Sequence, residues 1–179
     1  MRALGLVSIV ALAACNTQRL ETAPPIEPTL EIVREKDRDG NLVREQLVLV
    51  SRGERPLAHG ADKGWYSNGA KRYEREFDRG SPSGPWRTWH ANGQIASETT
   101  FAATEMLLSF WYDTGVISAA GPALNGSRRG VWRFFRPDGS VREEGTYVDS
   151  VRDGEWTFFE ENGSKTSRFY ARGVVVERQ

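Results

Sequence analysis

Two stretches, GVWRFFRPDG (130–139) and GEWTFFEENG (154–163), say nearly the same thing 24 residues apart. Each opens on Gly-x-Trp, runs through a pair of aromatics and closes on Asp-Gly or Asn-Gly. Glycines ending a phrase of this kind also fall at Gly40 (DRDG), Gly69 (YSNG), Gly93 (HANG) and Gly115 (YDTG), and the last five, Gly69, Gly93, Gly115, Gly139 and Gly163, are separated by 24, 22, 24 and 24 residues. Self-similarity at such a period marks a repeat array. Asn-Gly and Asp-Gly are strong hairpin signals, because both central residues of a type I′ turn need positive φ.

The columns around the turn glycine are as regular as the glycine itself. Four residues before it stand Trp65, Trp89, Trp111, Phe135 and Phe159; seven before it stand Trp86, Leu108, Trp132 and Trp156, with Gly84, Gly130 and Gly154 two residues ahead of the tryptophans. After the turn come Leu42, Ile95, Ile117 and Val141 two residues on, Glu45, Glu74, Glu98 and Glu144 five on, and Phe77, Phe101 and Tyr147 eight on. Aromatic and β-branched residues in short runs between turn signals are strand composition. Each repeat therefore reads as one hairpin. A lone hairpin is marginal in water, so the hairpins must support one another. The fold class expected is all-β: tandem antiparallel hairpins in an elongated, right-handedly twisted sheet, with ladders of Trp and Phe, and Glu paired with Arg on the wetter face. The columns four and seven residues before the glycine have opposite parity, so either both faces are partly covered or a bulge intervenes.

Composition bounds the function. The chain has 179 residues and equal numbers of basic and acidic side chains, 24 of each, mixed along its length. That leaves no basic stripe for nucleic acid. The opening MRALGLVSIVALAAC has a positive residue, Arg2, then a short apolar run ending in small residues, which is a secretory leader and too short to span a bilayer. Its ending, Leu12-Ala13-Ala14-Cys15, resembles the bacterial lipobox, which implies cleavage before Cys15 and acylation of that residue; an ordinary leader followed by a free thiol is the alternative. Cys15 is the only cysteine, so no intramolecular disulfide and no cysteine-rich metal site is available. Residues 16–29, with Pro24, Pro25 and Pro28, read as an extended tether. Asn16 after the lipid site is not the aspartate that marks inner-membrane retention in enteric bacteria, which by that resemblance points to the outer membrane. The organisation expected is a leader over 1–14, a lipidated cysteine and tether over 15–29, a capping hairpin over 30–56 and the array over 57–179, closed by the strand GVVVERQ (173–179).

The phrases GVWRFFRPDGSVREEGTY and GEWTFFEENGSKTSRFY resemble the MORN-repeat variant found in bacterial proteins, a family often labelled as the YwqK-type antitoxin of a toxin–antitoxin system. The resemblance covers about residues 57–173. It is close in the repeats of Gly93, Gly139 and Gly163. In 104–126, EMLLSFWYDTG lacks the opening glycine and tryptophan, and in 57–80 GADKGWYSNG keeps only the second aromatic. The family implies a non-catalytic hairpin array used for contacts. An antitoxin acting on a cytoplasmic toxin does not fit an exported chain.

Catalytic signatures are missing from the sequence. His59 and His90 stand in unrelated contexts, and His90, between an aromatic and its turn, reads as an exposed strand-end residue. The Glu column could suggest the paired carboxylates of a glycosidase, but repetition alone generates it, and ion pairs with Arg explain it better. Residues 35–46 place Glu35, Asp37, Asp39, Gly40 and Gln46 at calcium-loop spacing, yet the first and last ligands are wrong and the flanks are strands. No cofactor and no metal is expected. Two contact functions remain: a scaffold for a protein partner or a second copy, and glycan or cell-wall binding through aromatic platforms of the kind that hold a sugar or quaternary ammonium. They differ in whether tryptophans are grouped in the open or buried in a ladder. Local rules break where function intrudes, which directs attention to the irregular repeat and its Phe110, Trp111 and Tyr112, with Trp89 beside it.

Overall fold

A computed structural model describes residues 27–101 and 105–177. The leader, Cys15 and the tether as far as Ile26 lie outside the described residues. The described chain holds no helix and fifteen strands in one antiparallel sheet.

Six long hairpins make up its body. They are β1 (Thr29–Lys36) with β2 (Leu42–Val50), β3 (Leu57–Trp65) with β4 (Lys71–Asp78), β6 (Trp86–Trp89) with β7 (Ile95–Phe101), β8 (Met106–Trp111) with β9 (Ile117–Leu124), β11 (Gly130–Phe135) with β12 (Val141–Val148), and β13 (Val151–Phe159) with β14 (Lys165–Ala171). Short strands β5 (Ser81–Pro82) and β10 (Ser127–Arg128) pair with β4 and β9, and β15 (Val174–Val176) pairs with β14. Neighbours in sequence are neighbours in the sheet throughout, so the residues of 30–56 enter the same sheet as the array.

The two ends of the hairpins carry different turns. At Gly93 the glycine N–H donates to the His90 carbonyl at 2.9 Å and the His90 N–H to the Gln94 carbonyl at 2.8 Å; the same pair of bonds recurs at Gly69, Gly115, Gly139 and Gly163. Only the glycine has positive φ there, +87° at Gly93, while Asn92 does not. These are three-residue loops ending in a left-handed glycine, not the two-residue type I′ turns expected from the sequence. The preceding Asx residue acts instead through its side chain: Asn68, Asn92, Asp138 and Asn162 each accept the backbone N–H two residues on, at 2.8–3.0 Å. The type I′ signature, positive φ at two successive residues, occurs at the opposite ends, in Arg79-Gly80, Asn125-Gly126, Asp149-Ser150 and Arg172-Gly173.

Strand register explains the parity of the columns. The first five hairpins each skip one residue in their second strand beside the loop, as where Phe134 opposes Glu143 and Phe135 opposes Val141. The first strand stays unbroken, so Trp132 and Phe134 share one face and Phe135 turns to the other. The buried ladder is thus built from the columns seven and five before the glycine, not seven and four. Trp132 and Trp156 are fully buried, and Phe110, Phe134, Tyr147, Phe158 and Tyr170 pack against them. Ring centroids in this ladder lie 5.0–6.4 Å apart.

What lets large rings lie flat on a one-layer sheet is an alternation of large and small residues across it. Along one row, Leu108, Gly121, Trp132, Gly145 and Trp156 are successive neighbours or flank one another. A Cβ at Gly121 would come within 2.4 Å of the Trp132 ring, and one at Gly145 within 2.3 Å of the Trp156 ring. The opening glycine of each Gly-x-Trp phrase bends the chain: Gly84, Gly130 and Gly154 all have positive φ. The Trp that follows sends its indole N–H back to a carbonyl of the preceding strand, Trp86 to Glu76, Trp132 to Pro122 and Trp156 to Thr146, at 2.8–3.2 Å. A buried indole N–H needs such an acceptor.

Candidate functional site

The two faces of the sheet differ in how fully their side chains are committed. On the ladder face, guanidinium groups lie over the rings: Arg128 is 4.6 Å from the Trp132 centroid and Arg152 is 4.1 Å from that of Trp156. Arg152 is fixed there by the buried Glu143 at 2.7 Å. Toward the N-terminal hairpins the same face becomes polar. Asp62, 1% exposed, receives Arg44 at 3.0 Å and Arg75 at 2.7 Å, and Tyr73 lies over Gly64 beside them.

The other face carries one straight row of charges. Following the pairing register, Arg34 opposes Glu45, Glu45 opposes Lys63, Lys63 opposes Glu74, and the row continues through Arg87 and Glu98. It resumes with Arg133 and Glu144. Basic and acidic residues alternate, so the first, second, third and fifth hairpins each close their own ion pair: Arg34–Glu45 at 2.8 Å, Lys63–Glu74 at 3.6 Å, Arg87–Glu98 at 2.6 Å and Arg133–Glu144 at 2.7 Å. Lys71, bonded to Glu74 at 2.9 Å, joins Lys63 in holding that carboxyl below its ordinary pKa. The acidic half of the row is the Glu column of the sequence. Its basic half stands six residues before Gly40, Gly69, Gly93 and Gly139, a column the sequence pattern did not bring out.

Between Glu98 and Arg133 the row is interrupted by Ser109 and Ala120. Two short side chains stand where the register calls for a long ion pair, which leaves a notch walled by charged pairs on either side. Leu107, Val131 and Phe135 join Ser109, Ala120 and Arg133 in lining it. Leu107 is 57% exposed and Val131 58%. This apolar notch, flanked on both sides by ion-paired hairpins, is the candidate site; beyond Glu144 the row ends in Thr157 and Ser167.

The notch belongs to the irregular repeat, yet the residues named from the sequence divide between several tasks. Phe110 lies in the buried ladder, 6.3 Å from Trp132. Trp111 and Trp89, like Trp65, Phe135 and Phe159, are half-buried on the charged-row side beside the loops, with Trp111 opposing Ile117 and Trp89 opposing Ile95. Tyr112 is a staple: its hydroxyl donates to the Phe135 carbonyl of the next repeat at 2.7 Å. Tyr66 does the same to Trp89 at 2.7 Å, and Arg136 to Phe159. His90 occupies that column too, its Nε2 bonded to the Trp111 carbonyl at 2.9 Å, so it is a part-buried staple and not an exposed strand-end residue. His59 Nδ1 accepts the Arg79 N–H at 3.3 Å. The residues of the notch that the sequence did not single out, Leu107, Ser109, Ala120 and Val131, carry no motif; only the missing Glu five residues after Gly115 signals the gap.

Asp37, within the calcium-like segment, spends its carboxylate on its own turn, accepting from the Asp39 and Asn41 backbones at 2.9 Å. Among the described residues, no group of three or more His, Cys, Asp and Glu is placed to hold a metal ion.

Comparison with known proteins places two of these hairpins in a family. Residues 82–103 and 128–149 match the MORN repeat variant, a repeat generally used for protein or membrane interaction. The two matches fall on either side of the hairpin that carries the notch. No curated protein matches the chain. Among solved structures, one described as the crystal structure of TarM and one of an S. aureus TarM variant in complex with fondaparinux, alpha-GlcNAc-glycerol and UDP overlay with a TM-score of 0.36 at 13% and 12% identity. Each covers 48% of this chain and only 18% of the TarM chain, a likeness too slight to bear on fold or function.

Proposed function

We propose that this protein is a non-catalytic lipoprotein of the bacterial cell envelope, anchored in the outer membrane through Cys15, whose hairpin array docks a protein partner at the notch of the fourth hairpin. The single observation that carries the reading is the interruption of the charge row by Ser109 and Ala120, with Leu107 and Val131 exposed at its rim. Paired charges give a surface little affinity of its own but penalise wrong partners. An apolar gap among them admits a complementary apolar side chain while its charged walls restrict what can accompany it.

Protein binding is favoured over glycan binding by the state of the aromatic residues. None of the six tryptophans is exposed, and the ladder rings are covered by arginines. A sugar platform needs open ring faces. The antitoxin role that accompanies the family resemblance would require this chain to remain in the cytoplasm, against its leader.

The test is cross-linking in native envelopes followed by purification of the full chain, comparing wild type with Val131→Glu and analysing both proteins and glycans. A stoichiometric protein lost with Val131→Glu, and retained with Lys63→Ala far along the same face, is the expected result. Glycan enrichment without a protein, unaffected at Val131, overturns the reading.

A further inference from the structure

Among the described residues the sheet has two free edges, β1 and β15, and they are not alike. β15 offers three residues before the chain reaches Glu177. β1 offers eight, all exposed, with no proline or glycine and no register shift before Glu35. Leu30 is 57% exposed and Ile32 52%, and Val33 is open on the opposite face. Glu31, Arg34, Glu35 and Lys36 share the strand with these apolar residues, but no bulge, proline or glycine interrupts Thr29 to Glu35, and such an edge presents unpaired N–H and C=O groups able to accept another strand.

We propose that this edge pairs with β1 of a second copy, extending the sheet across a two-fold axis at Ile32. The axis must stand perpendicular to the sheet, and such an axis keeps every residue on its own face. Even-numbered residues can therefore oppose only even-numbered ones, which leaves few registers. With the axis at Glu31, two glutamates oppose each other; at Val33, Glu31 meets Glu35; at Arg34, two arginines meet. Like charges directly opposed are destabilising. With the axis at Ile32, Ile32 meets Ile32, Leu30 meets Arg34, Glu31 meets Val33 and Thr29 meets Glu35, and no like charges are opposed. An axis at Leu30 also opposes no like charges but pairs only Thr29 to Glu31, so among registers that pair five or more residues of β1 the strand is charge-compatible with itself only at Ile32, which is what argues for a second copy as the occupant.

The pairing area is small. One edge strand covers well below the roughly 800 Å² per partner of a stable interface. The pair therefore depends on concentration, and the anchored reading supplies it: with Cys15 in the membrane, β1 begins 14 residues further on, so neighbouring copies hold this edge close to a shared surface. In this respect alone the inference rests on the proposed anchor.

The test is a disulfide scan of the full chain in its native envelope. Directly opposed strand residues have Cα atoms about 4.5–5.5 Å apart, within disulfide reach. Ile32→Cys should run mainly at twice the monomer mass on a non-reducing gel and return to monomer on reduction, while Val33→Cys and Val175→Cys stay monomeric. Wild type on the same gel controls for Cys15. A dimer from Val33→Cys or Val175→Cys but not from Ile32→Cys assigns another register or the other edge and overturns the proposal, as does the absence of any dimer. Metabolic labelling with a fatty acid, run in parallel, separates the two readings: label without an Ile32→Cys dimer sinks the edge pairing, and a dimer without label sinks the anchor.

Discussion

Gly145 lies beneath the indole of Trp156, and its missing side chain is the reason the ring can lie flat. The Cβ of Gly145→Ala would meet ring carbons at 2.3 Å, in a ring that is fully buried and cannot swing aside. Overpacking of this kind costs about 1–3 kcal/mol, and denaturant unfolding followed by tryptophan fluorescence should show it. Gly93→Ala should also destabilise, by about 1–2 kcal/mol, for another reason: nothing lies near its Cβ, but its φ of +87° is left-handed. The turn glycines were legible in the sequence because Asx-Gly is a local signal. Gly121 and Gly145 were not, since a glycine within a strand acquires its meaning from the ring across the sheet; their shared position, six residues after the turn glycine, was the available clue.

Asp138 illustrates the same scale in charge. The side-chain hydrogen bond from Ser140 lowers its pKa below 3.8, so its contribution is complete above the ordinary carboxylate value and is lost as pH falls through the lowered one. Asp138→Asn keeps the acceptor, as Asn68, Asn92 and Asn162 do in sibling turns. Its melting temperature should match wild type at neutral pH and fall less steeply on acidification below about pH 4. An equal acid slope would contradict this role.

Among the elements, two ionic arrangements of unequal weight occupy opposite faces. The row of ion pairs is solvent-exposed, so Glu144→Ala should cost at most about 1 kcal/mol. Asp62 is buried between Arg44 and Arg75, and removing it strands two guanidiniums; Asp62→Ala should cost about 3 kcal/mol in the same unfolding assay. Near-equal effects would show that the Asp62 cluster is solvated. The hairpins themselves and the Glu column were readable from spacing. The bulges were not, because a skipped residue shows only when two strands are placed in register, and the opposite parity of the aromatic columns stayed open for that reason. The tie made by Tyr112 was not legible, because its hydroxyl donates to the carbonyl of Phe135, a residue 23 positions away in the next repeat.

Across the whole molecule, burial is uneven. The connected core spans Ala119 to Tyr170, whereas β1 is exposed along its entire length. In a repeat array stability is a sum of local units and their interfaces, so amide exchange should be slowest in β11–β13 and fastest in β1, with β3 and β4 between them. Uniform protection would mean a single cooperative unit instead. The irregular repeat sits inside the well-packed half: its ladder side, with Phe110 against Trp132, keeps the array continuous, while its other side departs from the pattern. That combination, structural conformity on one face and a gap on the other, is what supports the fourth hairpin as the proposed place of contact.

The most direct measurement is site-specific photo-cross-linking in the native envelope, with the probe at Val131 in the notch, at Lys63 on the same face three hairpins away, and at Arg168 on the ladder face. A defined protein adduct from Val131, absent from Lys63 and Arg168, is the predicted result. Adducts arising from Arg168 alone, or equally from all three positions, would show that the notch is not the contact site.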